Sequence, residues 1–246
     1  MSIDKDKIIF GRHPVLEAIR AGAAIEKVMV LQGARGPFEQ DLRRACDQAG
    51  IPLQYVPKER LNKFTDGNHQ GVIARFSEVR YAQLDELLAD LESQEVVPLL
   101  LILDGVTDVR NLGAIARTAE LCGAHALIVP HSGTAQINAE AMKSSAGALA
   151  KLPVCREKSL FVAVETLQMA NIRVLALTME ADFPIHQIAL DRPTALILGS
   201  EGRGVHPKMI QIADESCYIP QKGEIDSFNV SVAAGIALYE AMRQRG

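Results

Sequence analysis

Short apolar runs suited to strands alternate with stretches at helical spacing along almost the whole chain, the signature of an α/β architecture. The front of the chain predicts a helix over His13 to Ala21, a strand over Glu26 to Leu31 and a helix over Phe38 to Ala49. A strand over Leu53 to Val56, a helix over Lys58 to Phe64 and a strand over Gly71 to Phe76 follow. Residues 1–78 thus make a small α/β domain of their own. The acidic stretch 79–97 carries leucines at helical spacing over Tyr81 to Gln94, which predicts a connecting helix. Pro98 opens a second domain, 98–246. Its strands are expected at Leu99 to Asp104, Ala126 to Val129, Leu152 to Cys155, Arg173 to Leu177, Ala195 to Leu198 and Cys217 to Ile219. Its helices are expected at Leu112 to Cys122, Ala139 to Ser145 and Leu160 to Ala170, then near Lys208 and at the C-terminus.

Several classes are excluded at once. The longest apolar run, Val96 to Leu103, is broken by Pro98 and falls far short of the roughly 20 residues a membrane helix needs. The opening MSIDKDKIIFGRH lacks the apolar core of a signal peptide, so a cytoplasmic protein is expected. Cys46, Cys122, Cys155 and Cys217 show no CxxC spacing and the six histidines no ligand spacing, so no metal is assigned. The net charge of -4 is unevenly spread: residues 1–78 hold a slight basic excess and 79–97 are acidic. That distribution is compatible with RNA but does not select it.

In an open α/β sheet, ligands sit beyond the carboxyl ends of the strands, which directs attention to the loops after Asp104, Leu198 and Ile219. These read DGVTDVRNLGAIAR, GSEGRGV and PQKGEIDSFNVS, all rich in polar residues and glycine. GSEGRG has the wrong glycine spacing for a dinucleotide fingerprint, and no Gly-Lys pair exists for a phosphate-binding P-loop.

DGVTDVRNLGAIARTAELCGA, ALILGSEGRGV and IPQKGEIDSFNVSVAAGIALYEAMRQR, in that order, resemble the three motifs of the SpoU-type RNA ribose 2′-O-methyltransferases of the SPOUT superfamily. The front segments IFGRHPVLEAI and HQGVIARF are similar to the RNA-binding domain of the bacterial 23S rRNA guanosine 2′-O-methyltransferases. The resemblance implies a parallel-sheet C-terminal domain with a deep trefoil knot, a small N-terminal α/β RNA substrate-binding domain, S-adenosylmethionine as cofactor, and a homodimer acting on RNA. Matched position by position, it implies that Gly199, Ile219 and Phe228 hold the cofactor. Asn111, Arg117, Glu201, Ser227, Asn229 and Ser231 would form the catalytic region. One departure stands out: related sequences commonly place a small residue and then Ser-Leu before the last asparagine, where this chain has Asp226, Ser227 and Phe228.

The chemistry suits these residue types. S-adenosylmethionine already carries an activated methyl group, so the protein supplies position and proton removal. The resemblance assigns proton removal to Arg117, yet a guanidinium with a pKa above about 12 is a weak base. Arg117 is therefore expected either to be poised by substrate phosphate and burial or to clamp the phosphate while another group takes the proton. Each residue also has a plainer reading. Asn111, Ser227 and Asn229 could cap helices, Arg117 could be a solvated helix arginine, and Glu201 could be a turn residue among glycines. His13 and His69 could be structural. Two other functions stay open: the same chemistry on tRNA or an antibiotic-target rRNA loop, and an RNA-binding protein that keeps the fold without catalysis.

Overall fold

Strands form where β-favouring apolar residues cluster in the described part of the chain, residues 7–246 of a computed structural model. The fold divides into two units, Met1–Arg80 and Tyr81–Gly246.

The first unit runs β1 (Ile8–Phe10), α1 (Arg12–Arg20), β2 (Ile25–Leu31), α2 (Pro37–Gln48), β3 (Leu53–Val56), α3 (Lys58–Asn62) and β4 (Val72–Phe76). Its sheet has the order β1-β4-β2-β3. β2 and β3 are parallel, while β4 is antiparallel to both β1 and β2. Alternation along each strand splits the core in two. Val28, Val30, Val72 and Ala74 pack with Val15, Ile19, Leu42 and Cys46 of α1 and α2. Met29, Ile73 and Val56 pack with Leu61 of α3.

The second unit runs β5 (Tyr81–Ala82), α4 (Leu84–Ser93), β6 (Leu99–Asp104), α5 (Val109–Leu121), β7 (Ala126–Pro130), α6 (Ala139–Ser144) and β8 (Val154–Glu157). It continues with α7 (Leu160–Met169), β9 (Arg173–Leu177), β10 (Phe183–Pro184), β11 (Thr194–Gly199), α8 (Pro207–Ile212), β12 (Glu215–Tyr218) and α9 (Val230–Arg245). The eight strands are ordered β10-β12-β9-β11-β6-β7-β8-β5. All the pairings are parallel. Parallel strands are covered on both faces, and Leu99 to Leu103 are accordingly buried without interruption. From β6 the chain moves through β7 to β8 on one side, and β11 flanks β6 on the other. Their carboxyl ends meet at a switch point of the kind that opens a ligand crevice in such sheets.

The stretch 79–97 holds α4, whose Leu84 and Leu91 join the core of the second unit, and the two-residue strand β5. Two expected strands start two residues away from expectation, while β2, β4 and β7 differ by one residue at one end and β11 at both. β8 begins two residues later than Leu152, and β12 ends at Tyr218, leaving Ile219 just beyond the strand. α5 starts three residues before Leu112 because Asp108, not Asn111, caps it.

Candidate active site

The first turn of α5 frees Asn111 for tertiary contact. The Asp108 carboxylate accepts from the Arg110 backbone N–H at 2.7 Å and from Arg110 Nη2 at 2.8 Å. Those hydrogen bonds hold the Asp108 carboxyl well below the usual range, at about 2. With the cap supplied by Asp108, Asn111 lies inside the helix and its side chain points elsewhere.

The loop after β11 is shaped by glycine. A Cβ on Gly199 would lie 1.9 Å from the Gly204 carbonyl carbon and 2.0 Å from the Val205 nitrogen, so the backbone of the loop folds directly over it. Ser200 and Gly204 exchange backbone hydrogen bonds of 3.0 and 2.9 Å, closing a tight turn. Gly204 adopts φ of +67°, which disfavours a side chain there. His206 N–H donates to Asp104 Oδ2 at 2.8 Å, tying the loop to the end of β6. Glu201 is held exposed at the tip.

Three elements then converge. Asn111 Nδ2 donates to Glu201 Oε1 at 2.8 Å. Asn229 Nδ2 donates to the same carboxylate oxygen, and to Asn111 Oδ1 at 3.3 Å. Asn229 Oδ1 accepts from Ser231 N–H at 2.9 Å and Ser231 Oγ at 2.6 Å, so it caps α9. One side chain therefore serves both roles proposed for it, closing a helix with its oxygen and joining the polar cluster with its nitrogen. Hydrogen bonds to a carboxylate are stronger than neutral ones, and this set fixes both amide orientations.

The remaining positions are placed differently. Arg117 is exposed on α5 and makes no hydrogen bond or ion pair with the described residues. Ser227 is exposed in the loop before α9. Ile219 is buried and Phe228 half-exposed, and the two line one groove of about 680 Å³ with Gly235 and Ile236 of α9. That volume is within the usual range for small-molecule sites, about 300–1,000 Å³. Gly199 does not line this groove. Gln221 Nε2 donates to the carbonyls of Ile225 and Asp226 at 3.3 and 3.2 Å, bracing the loop beside it. Asp104 is the contributor that motif matching missed; a carboxylate ending a buried strand was the available signal.

Two plainer readings can be resolved elsewhere. His69 is buried, its Nδ1 accepting from Gly71 N–H at 3.0 Å, so Nε2 carries the proton and faces Asn62 Oδ1 at 2.9 Å. It is a structural histidine. Burial pushes the thiols of Cys46, Cys155 and Cys217 up to about 12, which makes them unreactive. Among the described residues no three His, Cys, Asp or Glu side chains gather as a metal site, and no helix is long and apolar enough to cross a membrane.

Comparison with known proteins gives the family of the chain. Residues 98–239 match the SpoU rRNA Methylase family, and residues 8–82 match the RNA 2′-O ribose methyltransferase substrate binding family. The chain is 38% identical over 242 residues to the 23S rRNA (guanosine-2′-O-)-methyltransferase RlmB of Yersinia pestis, covering 98% of both chains. Its fold is similar to that of a solved RNA 2′-O ribose methyltransferase, with a TM-score of 0.57, 27% identity, and 97% of this chain and 88% of that one covered. It is also similar in fold to the SpoU methyltransferase AviRb of Streptomyces viridochromogenes in complex with AdoMet, with a TM-score of 0.60, 24% identity, and 97% and 90% covered. The chain belongs to the SpoU rRNA methylase family.

Proposed function

We propose that this protein transfers the methyl group of S-adenosylmethionine to the ribose 2′-hydroxyl of a guanosine in 23S rRNA. The observation that carries the reading is the meeting of Asn111, Glu201 and Asn229 at the ends of parallel strands, in a chain alike over its full length to a protein named for that reaction. S-adenosylmethionine supplies an activated methyl group when bound, and the AviRb structure holds that molecule on a similar fold.

The residues divide the work. The groove at Ile219 and Phe228 offers apolar walls to the cofactor, and Gly199, outside that groove, lets the backbone of the loop after β11 fold tightly and present main-chain groups to it. Asn111, Glu201, Asn229 and Ser231 act as one rigid polar unit against which the ribose is oriented, and Ser227 lies in the loop leading into it. Orientation of this kind supplies much of a displacement reaction's acceleration, about 7–11 kcal/mol in well-aligned cases. Arg117, exposed and without a hydrogen-bond or ion-pair partner among the described residues, contacts substrate phosphate; the planar fork of donors on a guanidinium suits that task better than proton removal.

Residues 1–78 hold RNA, 98–246 carry the transfer site, and 79–97 join them; the match of residues 8–82 to a substrate-binding family supports that division. The segment from β11 to α9 forms the trefoil knot expected of the family. The chain works as a homodimer in the cytoplasm, and exposed Val232, Tyr239 and Met242 along one side of α9 supply an apolar surface for pairing. Equilibrium binding of S-adenosylmethionine together with labelled methyl transfer to unmodified 23S rRNA tests the proposal. Cofactor binding with transfer supports it, transfer to tRNA alone overturns the substrate, and no cofactor binding overturns the enzyme.

A further inference from the structure

The parallel strands of the first unit have a carboxyl edge of their own. β1 and β2 both run antiparallel to β4, and β3 is parallel to β2, so the ends of β1, β2 and β3 and the start of β4 lie along one edge. A cavity of about 550 Å³ opens there, lined by Leu31 at the end of β2, Lys58 after β3, Asn62 of α3 and the loop from Thr65 to Gly71 that leads into β4. The loop is packed closely against the sheet: a Cβ on Gly67 would lie 2.8 Å from the Phe10 ring.

The hydrogen bonds decide what the wall offers a ligand. Gln70 Oε1 accepts from Arg12 N–H at 3.0 Å, and Asn68 Oδ1 accepts from Gln70 N–H at 3.3 Å. A backbone N–H only donates, so the side-chain atom in both bonds is the oxygen. His69 Nδ1 accepts from Gly71 N–H, so its Nε2 carries the proton and Asn62 turns its oxygen toward it at 2.9 Å. Each of the three amide oxygens is engaged by a protein donor, while the NH₂ groups of Asn62, Asn68 and Gln70 have no hydrogen-bond partner among the described residues. Lys58 is exposed and adds an ammonium, which only donates. Asp66 is the one acid in the lining and has an interaction of its own.

A wall whose remaining polar groups are donors fits a ligand that brings acceptors and negative charge. Arg12 and Arg35, exposed just beyond the ends of β1 and β2, extend the positive charge along the same edge. We infer that this cavity holds a backbone phosphate of the RNA substrate, a contact that positions RNA without reading its sequence. The inference rests on the proposed RNA substrate and assigns it a specific seat in the first unit.

Asn68→Asp and Gln70→Glu test it in the full chain. Each keeps the oxygen that accepts the backbone N–H and puts negative charge in place of the NH₂ group. With an unmodified 23S rRNA fragment as probe, each should weaken RNA binding about tenfold, the size of a hydrogen bond to a charged group replaced by repulsion. Lys58→Met should weaken it about three- to fivefold and lessen the slope of log affinity against log salt by roughly one unit. S-adenosylmethionine affinity should stay the same and Tm move by less than about 2 °C, since these positions are exposed. Gln54→Glu, exposed on β3 and outside the cavity lining, adds the same charge elsewhere and should leave RNA affinity within about twofold. Wild-type affinity in all three cavity variants, or equal weakening by Gln54→Glu, would overturn the site. Weaker binding by Lys58→Met with an unchanged salt slope would overturn phosphate as its ligand. Failure of the wild-type chain to bind RNA would overturn the underlying substrate reading and this site with it.

Discussion

Asn111 Nδ2 donates to Glu201 Oε1 across 2.8 Å, joining the first turn of α5 to a loop 90 positions later in the chain. Asn229 closes the same cluster from a third element. The polar cluster proposed as the transfer site is thus assembled by tertiary structure and depends on all three arriving together.

Replacing Glu201 with Gln keeps the shape and removes the charge that holds both amides. Methyl transfer should drop by at least about tenfold, the order expected when catalytic groups lose their alignment. Tm should move by less than about 2 °C because the residue is exposed. Parallel turnover and thermal unfolding measurements check the separation.

The double role of Asn229 can be split. Asn229→Ala removes both the helix cap and the cluster contact, and should cost about 1 kcal/mol of stability as well as activity. Asn229→Ser restores the cap but cannot reach Glu201. It should recover stability and leave turnover low; recovery of both would make the residue a cap alone.

Gly199→Ala should be costly, since the added methyl would meet main-chain atoms that have no flexible end to move. The expected loss is about 2–3 kcal/mol, or roughly 5–10 °C in Tm, with weaker S-adenosylmethionine binding. Calorimetry reads both quantities.

Arg245 anchors the end of α9 by donating to four carbonyls: Val97 at 2.7 Å, Pro98 at 3.0 Å, Leu190 at 2.8 Å and Arg192 at 2.7 Å. Arg245→Met keeps much of the packing but removes the guanidinium from all four carbonyls, of which Pro98 and Arg192 still accept from Thr194. Denaturant unfolding should show a loss of about 2–4 kcal/mol.

Partial burial, and to a lesser degree the charge of Arg245, lower the His125 pKa from 6.5, and Leu99 N–H donates to its Nδ1 at 3.0 Å. The unfolded chain then takes up a proton before the folded one does. The stability this neutral imidazole supports is complete above about pH 6.5 and declines as pH falls from there toward the lowered folded value. His125→Asn should flatten that part of the Tm profile relative to wild type, while equal slopes in both proteins would contradict the assignment.

Much of this fold is legible in the sequence because local pattern and tertiary environment agree. Leu53–Val56, Leu99–Asp104 and Arg173–Leu177 form strands at the expected positions. β1, β5 and β10 are not legible in the sequence, since two or three residues carry no periodicity and these strands exist only through partners far away in the chain. The start of α5 is ambiguous in the sequence for a related reason. Asp108 and Asn111 are both good caps, and only the structure decides that Asp108 serves and Asn111 turns toward Glu201. Spacing likewise could not pair residues 111, 201 and 229. Their candidacy came from the resemblance of three ordered motifs, while their geometry came from the parallel sheet that brings the loops together.

The most direct test of the proposed reaction is nucleoside analysis of unmodified 23S rRNA after incubation with the protein and labelled S-adenosylmethionine. The account predicts label in 2′-O-methylguanosine at one position. Label on a base, on another nucleoside or in no RNA product would contradict it.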